Sequence, residues 1–309
     1  MAKNTKKVSI IVLSINSYEM LKSFVDNLKE LDFNGLRVDL KIINNGSSDK
    51  RYLNFKNLKL PKIAIHYFDN DKNLGFAAGN NIGIKKSQDS DYLFFVNDDV
   101  FLSKNTLKNL LNFLEENKNC GLVSPKIYFA KGYEFHKDRY KKNDLGKVIW
   151  YAGGEIDWKN IHTDHLGVDV VDRGQFEKIQ ETELISGACF LARNEVFKKL
   201  AGFEEKYFLY WEDADLSIRA RMAGFGVYFN PKAHCWHKVS VSAGGSGSLS
   251  NDYFLIRNRY FFAMRYASFR TKLAVFKDTL RLMFFGRPWQ KIGARDALFG
   301  IMGRGSWLG

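Results

Sequence analysis

Cysteine is scarce: Cys120, Cys189 and Cys235 are the three in 309 residues, well separated and odd in number. That argues against a disulfide scaffold and fits a reducing compartment. No uncharged apolar stretch is long enough to span a bilayer. The run after MAKNTKK is VSIIVLSI, too short for a signal segment with its cleavage site, and it reads as a strand. No GxGxxG follows that strand, so a nicotinamide or flavin site has little support. No internal repeat is present. His162, His165, His234, Cys235 and His237 do not fall into two clean ligand pairs, which argues against a structural zinc centre.

What the chain has is positive charge. The formal balance is +13, and residues 251–309 hold eleven Lys/Arg against three Asp. A basic tail calls for an anionic partner: nucleic acid, an acidic lipid surface or a phosphorylated substrate. At 45% hydrophobic and 26% charged, the length suits one large α/β domain with an appendage, or two domains.

Strand and helix patterns alternate through the first half. Residues 8–15 form an apolar strand. Asn16 or Ser17 then caps a helix, with Glu19 placed as in a capping box and Met20, Leu21, Phe24, Val25 and Leu28 on its apolar face. Val38, Leu40 and Ile42 alternate in a second strand ending in NNGSSD, and residues 63–68 make a third. The small-residue segment at 73–83 leads into a helix, and Leu107, Leu110, Leu111 and Leu114 mark another. This order implies a parallel sheet with right-handed crossovers. Residues 121–126, 183–191 and 226–230 read as further strands, 194–200 as a short helix, and 213–225 as a helix with Gly224 as its C-cap. Asp215 and Arg219, four apart, pair on one face of it. Residues 131–182 carry no clear periodicity. Residues 240–250, SVSAGGSGSLS, are either a passive linker or a mobile lid. Leu273, Phe276, Leu280 and Met283 recur at helical spacing among Lys272, Lys277 and Arg281. That is a basic amphipathic helix, lying on a membrane surface or packed on the domain.

The stretch the rest is organised around is YLFFVNDDV, residues 92–100. An apolar, aromatic run breaks abruptly into Asn97-Asp98-Asp99, and such a run reads as a buried strand of a parallel sheet. Ligands of open α/β sheets bind beyond the carboxyl ends of strands. Two adjacent carboxylates there repel unless a cation or donors intervene, and a hard divalent ion shared with a diphosphate would suit them. Capping of an ordinary turn by Asn and Asp accounts for the same residues.

Asn97-Asp98-Asp99, Trp211-Glu212-Asp213 and His237, taken with VSIIVLSIN, INNGSSD, NLGFAAGNNIGI and SGACFLARNEVF in that order, resemble family 2 glycosyltransferases of the GT-A fold. The likeness is to the bacterial rhamnosyltransferase-like branch and covers about residues 8–245. It implies an α/β GT-A domain over residues 1–250, with a mostly parallel central sheet, and a basic helical C-terminal extension over 251–309. It implies inverting transfer of a sugar from a nucleotide donor, dTDP-rhamnose by preference or a UDP-sugar, to a cell-surface glycan or lipid-linked acceptor. Asp99 and His237 match the ligands of a Mg²⁺ or Mn²⁺ ion. Asp213 matches the base, with Glu212 the near alternative. Ser14, Asn16, Asn44, Asn73, Gly75, Asn80, Asn81, Asn97 and Asp98 match the nucleotide site. Gly187, Ala188, Trp211 and Trp236 are assigned to the sugar and acceptor. Arg257-Asn258 matches a motif of the branch to which we attach no role at this point. The expected location is the cytoplasmic face of the cell membrane, held peripherally by anionic lipid. The C-terminal helices are a candidate homo-oligomer contact, and nucleic acid is not an expected partner. A degenerate module that only holds a nucleotide or glycan is the competing reading.

Overall fold

Tyr92, Leu93, Phe94, Phe95 and Val96 are all buried, because the sheet around them is covered on both faces. In the computed structural model, residues 5–239 and 248–308 are described. The 240–250 segment falls mostly outside the described residues. In chain order the first half runs β1 (Lys6–Ser14), α1 (Tyr18–Leu28), β2 (Leu36–Asn44), β3 (Ile63–Asp69), α2 (Gly75–Lys85), β4 (Tyr92–Val96), β5 (Val100–Leu102), α3 (Thr106–Glu116) and β6 (Cys120–Phe129). Three short strands follow, β7 (Ile149–Tyr151), β8 (Gly154–Asp157) and β9 (His162–His165), then β10 (Gln180–Glu181), β11 (Cys189–Arg193), α4 (Asn194–Leu200), α5 (Glu212–Met222) and β12 (Gly226–His237). Three helices close the chain: α6 (Leu249–Tyr266), α7 (Phe269–Phe285) and α8 (Pro288–Leu298).

The large sheet has the order β10-β12-β6-β11-β4-β1-β2-β3. β1 runs parallel to β2 and β4, β2 to β3, and β12 to β6. The fold is therefore α/β with mostly parallel central strands, and β11 is antiparallel to both its neighbours. The expected strand at 183–191 begins only at Cys189. Leu184 and Ile185 are buried in the approach to it, so their burial looked like strand pattern from sequence. The strand expected at 226–230 runs on to His237.

Helix α2 lies close on the sheet because it carries glycines where it crosses β1. A Cβ on Gly79 would stand 2.5 Å from Leu13, and one on Gly83 2.5 Å from Ile11. On the same face, Phe95 stacks on Phe190 at 4.7 Å and meets Phe197 and Phe203. Ser17 occupies the N-cap of α1 without a side-chain cap bond, and Glu19 pairs with Arg51 instead of closing a capping box. Gly224 follows the α5 C-cap, Ala223, with φ of 89°.

Candidate active site

Parallel pairing fixes where the strand ends fall. Ser14 lies beside Asn44, and Asn44 beside Asp69, so β1, β2 and β3 finish in one row next to the end of β4. There Asn97, Asp98 and Asp99 turn the chain into β5, with the Val100 amide donating to Asn97 O at 3.2 Å. β5 pairs with β12, and the His237–Val100 register brings His237 to the turn.

The two carboxylates have different surroundings. Asp98 Oδ2 accepts from Ser14 Oγ at 2.5 Å and from Ser17 Oγ, and Ser14 Oγ also meets the Tyr52 hydroxyl at 2.7 Å. Burial, with the charge of Asp99 beside it, pushes the Asp98 carboxyl up to about 7. Asp99 is 3% exposed, and its Oδ1 lies 3.1 Å from His237 Nε2. Trp150 packs edge-on against His237 at 4.6 Å. Nδ1 of His237 is buried without a hydrogen-bond partner, so the ring is oriented by Trp150 and Asp99.

Among the described residues no three of His, Cys, Asp and Glu gather into a metal cage. Of the histidines considered for zinc, His165 packs against Trp150 and is pushed down to about 4 by burial. A Mg²⁺-type ion needs less from the protein, one or two side chains with substrate phosphates and water completing its shell, at about 2.0–2.1 Å. Two adjacent ligands of such an octahedron stand roughly 3 Å apart. The 3.1 Å between Asp99 Oδ1 and His237 Nε2 fits that pairing.

Asp213 lies in the first turn of helix α5. Its Oδ2 accepts from the Gly187 amide at 3.0 Å and its Oδ1 from the Ala214 amide at 2.8 Å. Enclosure of the carboxyl pushes its pKa up, and those two amides oppose the rise. The next residue after Gly187, Ala188, accepts from the Asn97 amide at 2.9 Å. Asp213 is thus tied through two consecutive residues to the strand end carrying Asp99. A Cβ on Gly187 would come within 3.3 Å of Asp213 Oδ2, close enough that the carboxylate would have to shift by a few tenths of an ångström. Glu212 points inward: its Oε2 is buried without a hydrogen-bond partner, and burial, then Asp213, push its carboxyl well above the usual range. Asp215 has no exposed surface and is held by Arg219 Nε at 2.6 Å and the Tyr266 hydroxyl at 2.6 Å, as its spacing suggested.

Other site residues fall less openly than expected. Asn16 takes a left-handed φ of 50°, and its Oδ1 accepts from Ser47 Oγ and the Ser48 amide, joining the loops after β1 and β2. Asn44 is engaged on all sides, donating to Asp69 Oδ1 at 2.7 Å and the Tyr67 hydroxyl at 3.1 Å, and accepting from the Ser47 amide. Asn73 accepts from Asn45 and from the Gly75 amide. Gly75 has φ of 84°, and a Cβ there would strike Phe208 O at 2.5 Å. Asn80 and Asn81 lie inside helix α2, not in a loop. Asn80 donates to Phe76 O, while Asn81 bonds Phe203 and Glu205. Trp236 neighbours His237 on a strand, so the two point to opposite faces. Its Nε1 donates to Gly146 O at 2.9 Å, away from Asp99. Trp211 is buried against Phe262 of α6 at 4.8 Å. Sequence reasoning passed over Tyr52, Asp69 and Trp150. Asp69 alone had a readable signal, its place at the end of a strand.

A solved structure of GalNAc-T7 with UDP, GalNAc and Mn²⁺ shares the fold at a TM-score of 0.61 and 16% identity, over 89% of this chain and 55% of that one. The strand order and the helices on both faces are those of the GT-A fold. The model of glycosyl transferase family 2 matches residues 9–201, and the chain belongs to that family. It is 40% identical over 223 residues to the N-acetylglucosaminyl-diphospho-decaprenol L-rhamnosyltransferase of Mycobacterium tuberculosis, covering 67% of this chain and 68% of that protein. To the rhamnosyltransferase WbbL of Escherichia coli it is 24% identical over 242 residues, 74% of this chain and 83% of that one.

Proposed function

We propose that this glycosyltransferase moves rhamnose from dTDP-rhamnose, with inversion, onto a hydroxyl of a lipid-linked cell-surface glycan precursor. The observation that carries the reading is Asp213, a carboxylate fixed by the Gly187 amide and joined by Ala188 to the end of β4. The 40% identity to an L-rhamnosyltransferase supports the sugar. A UDP-linked donor is the second reading, favoured by the UDP in the GalNAc-T7 structure.

The residues have separable tasks. Asp213 accepts the proton of the attacking hydroxyl through its carboxylate, on the face opposite the leaving group. A raised pKa makes it a better proton acceptor, while the two amides favour its charged form and oppose that rise. Asp99 and His237 would hold a Mg²⁺ or Mn²⁺ ion, which when bound neutralises charge building on the departing diphosphate. Asp98 stays behind them on Ser14 and Ser17, shaping the turn. Asn16 and the Asp69 carboxylate border the row of strand ends where base and ribose would lie. Gly187 and Ala188 leave room for the sugar.

The same reading puts the chain at an anionic membrane surface. Among the described residues no helix is long and apolar enough to cross one. Helix α7 nevertheless exposes Leu273, Phe276, Leu280 and Phe284 along one face, beside Lys272, Lys277 and Arg281. The test of the donor is a thermal-shift screen against dTDP, UDP and GDP with Mn²⁺, followed by transfer from the matching sugar nucleotide. Stabilisation by dTDP with rhamnosyl transfer supports the reading; response to GDP alone would end it.

A further inference from the structure

Helix α6 buries Arg257 and Asn258 completely. A buried guanidinium is expensive unless its donors are satisfied, and these are satisfied by main-chain oxygens. Arg257 Nη2 donates to Tyr207 O at 2.8 Å and Nη1 to Gly303 O at 2.7 Å, while Nε donates to Asn258 Oδ1 at 3.0 Å. With its amide so oriented, Asn258 Nδ2 lies 2.9, 2.8 and 2.9 Å from the carbonyl oxygens of Tyr207, Leu209 and Tyr210.

The segment these two residues grip is the one that delivers Trp211, Glu212 and Asp213. Its backbone is strained. Phe208 has φ 66° and ψ −56°, and the Leu209 amide bonds Tyr207 O at 2.8 Å, a γ-turn of the rare hand. Tyr210 and Trp211 follow with φ of 68° and 76°, left-handed without being glycine. Backbone of this kind persists only where its surroundings over-determine it, and such strain gathers at functional sites. On its other side Phe208 O accepts from the Phe76 amide, at the start of α2. The loop is held from both sides, and Asp213 lies two residues beyond its last strained position.

We propose that Arg257 and Asn258 are positioning residues. They lock residues 207–211 in a conformation the loop would not keep alone, and so hold Asp213 at the angle the acceptor hydroxyl requires. The inference rests on the base role given to Asp213. A purely structural clamp would alter stability and all kinetic constants together, whereas a positioning clamp acts on kcat.

The test uses the full chain with Asn258→Ala and Asn258→Asp. The second keeps an acceptor for Arg257 but sets a carboxylate oxygen against three carbonyl oxygens. Melting temperature, Mn²⁺-dependent binding of dTDP and UDP, kcat and donor KM are measured, with hydrogen exchange across residues 205–215. The expected result is a kcat lower by about a hundredfold, as for a small misplacement of a catalytic group, with nucleotide binding and donor KM nearly unchanged and faster exchange confined to 207–213. Should Asn258→Ala fail to fold, Asn258→Ser, with one hydroxyl donor for three carbonyls, carries the comparison. Native kcat in a folded variant, or a kcat loss matched by loss of nucleotide binding, overturns the proposal. Exchange reads the clamp without any transfer assay. Faster exchange in the variants of a chain that transfers no sugar would count against the role of Asp213, and native exchange against the clamp.

Discussion

The Gly187 amide donates to the Asp213 carboxylate at 3.0 Å, and Ala188, one residue on, accepts from the Asn97 amide at 2.9 Å. Two adjacent peptide groups thus connect the start of α5 to the end of β4. This bridge ties a carboxylate from the second half of the chain to the strand end that leads into Asp99. A Cβ on Gly187 would crowd Asp213, at 3.3 Å from Oδ2.

From the Asp99–His237 contact of 3.1 Å we expect metal and nucleotide to bind together. Calorimetry with the preferred nucleoside diphosphate, with and without Mn²⁺, should show a metal-dependent gain in affinity. Asp99→Asn should remove most of that gain, and His237→Gln should reduce it by about tenfold or more, in the range seen when groups around a metal are altered. An undiminished Mn²⁺ effect in both variants would take the metal away from these residues.

Glu212 gives a pH test of stability. Its folded carboxyl titrates well above the ordinary range because it is buried beside Asp213. A carboxyl with a raised folded pKa favours the folded state most below its unfolded pKa, and that advantage is lost as pH rises toward the folded value. Glu212→Gln removes the ionisation. Its melting temperature should gain on the native chain as pH rises from 4 to 8, by roughly 2 °C for each 1 kcal/mol relieved. A difference independent of pH would mean that Glu212 is ionised in the folded chain.

Helix α7 gives a partition test. Deleting residues 251–309 would be a poor one, because Arg257 and Asn258 leave with the deletion. Phe276→Ser with Leu280→Ser is cleaner, since both side chains are exposed and little packing is lost. Each apolar side chain contributes about 1.5–3 kcal/mol when fully buried, so sedimentation with anionic vesicles should weaken by about tenfold or more at an unchanged melting temperature. High salt should weaken it further. Unchanged sedimentation would confine this face to another role.

How much of this was legible depended on where each residue's partners lie. The strands from Lys6 to Val96 and the first helices announced themselves, because a core covered on both faces demands continuous apolar runs and 3.6-residue stripes. The Asn97-Asp98-Asp99 turn was visible as a break in such a run. A strand was legible at 183–191, but not its true start at Cys189, since Leu184 and Ile185 are buried without pairing in a strand, and apolar residues alone do not distinguish the two. Trp236 was assigned to the sugar and acceptor, yet strand alternation turns it to the face away from His237, where it bonds Gly146 O. Asn80 and Asn81 were matched to the nucleotide site, and their side chains instead bond Phe76 O and Phe203 O. Arg257 and Asn258 were unreadable in role because their partners are backbone carbonyls some fifty residues away, which leave no side-chain signature.

The most direct test of the account is the transfer rate of Asp213→Asn at saturating donor and Mn²⁺, with nucleotide binding measured on the same preparation. Removing a positioned base should lower kcat by about 10²–10⁴-fold while the diphosphate binds nearly as before. Transfer at the native rate, or donor binding lost along with activity, would contradict a base at Asp213 acting opposite Asp99.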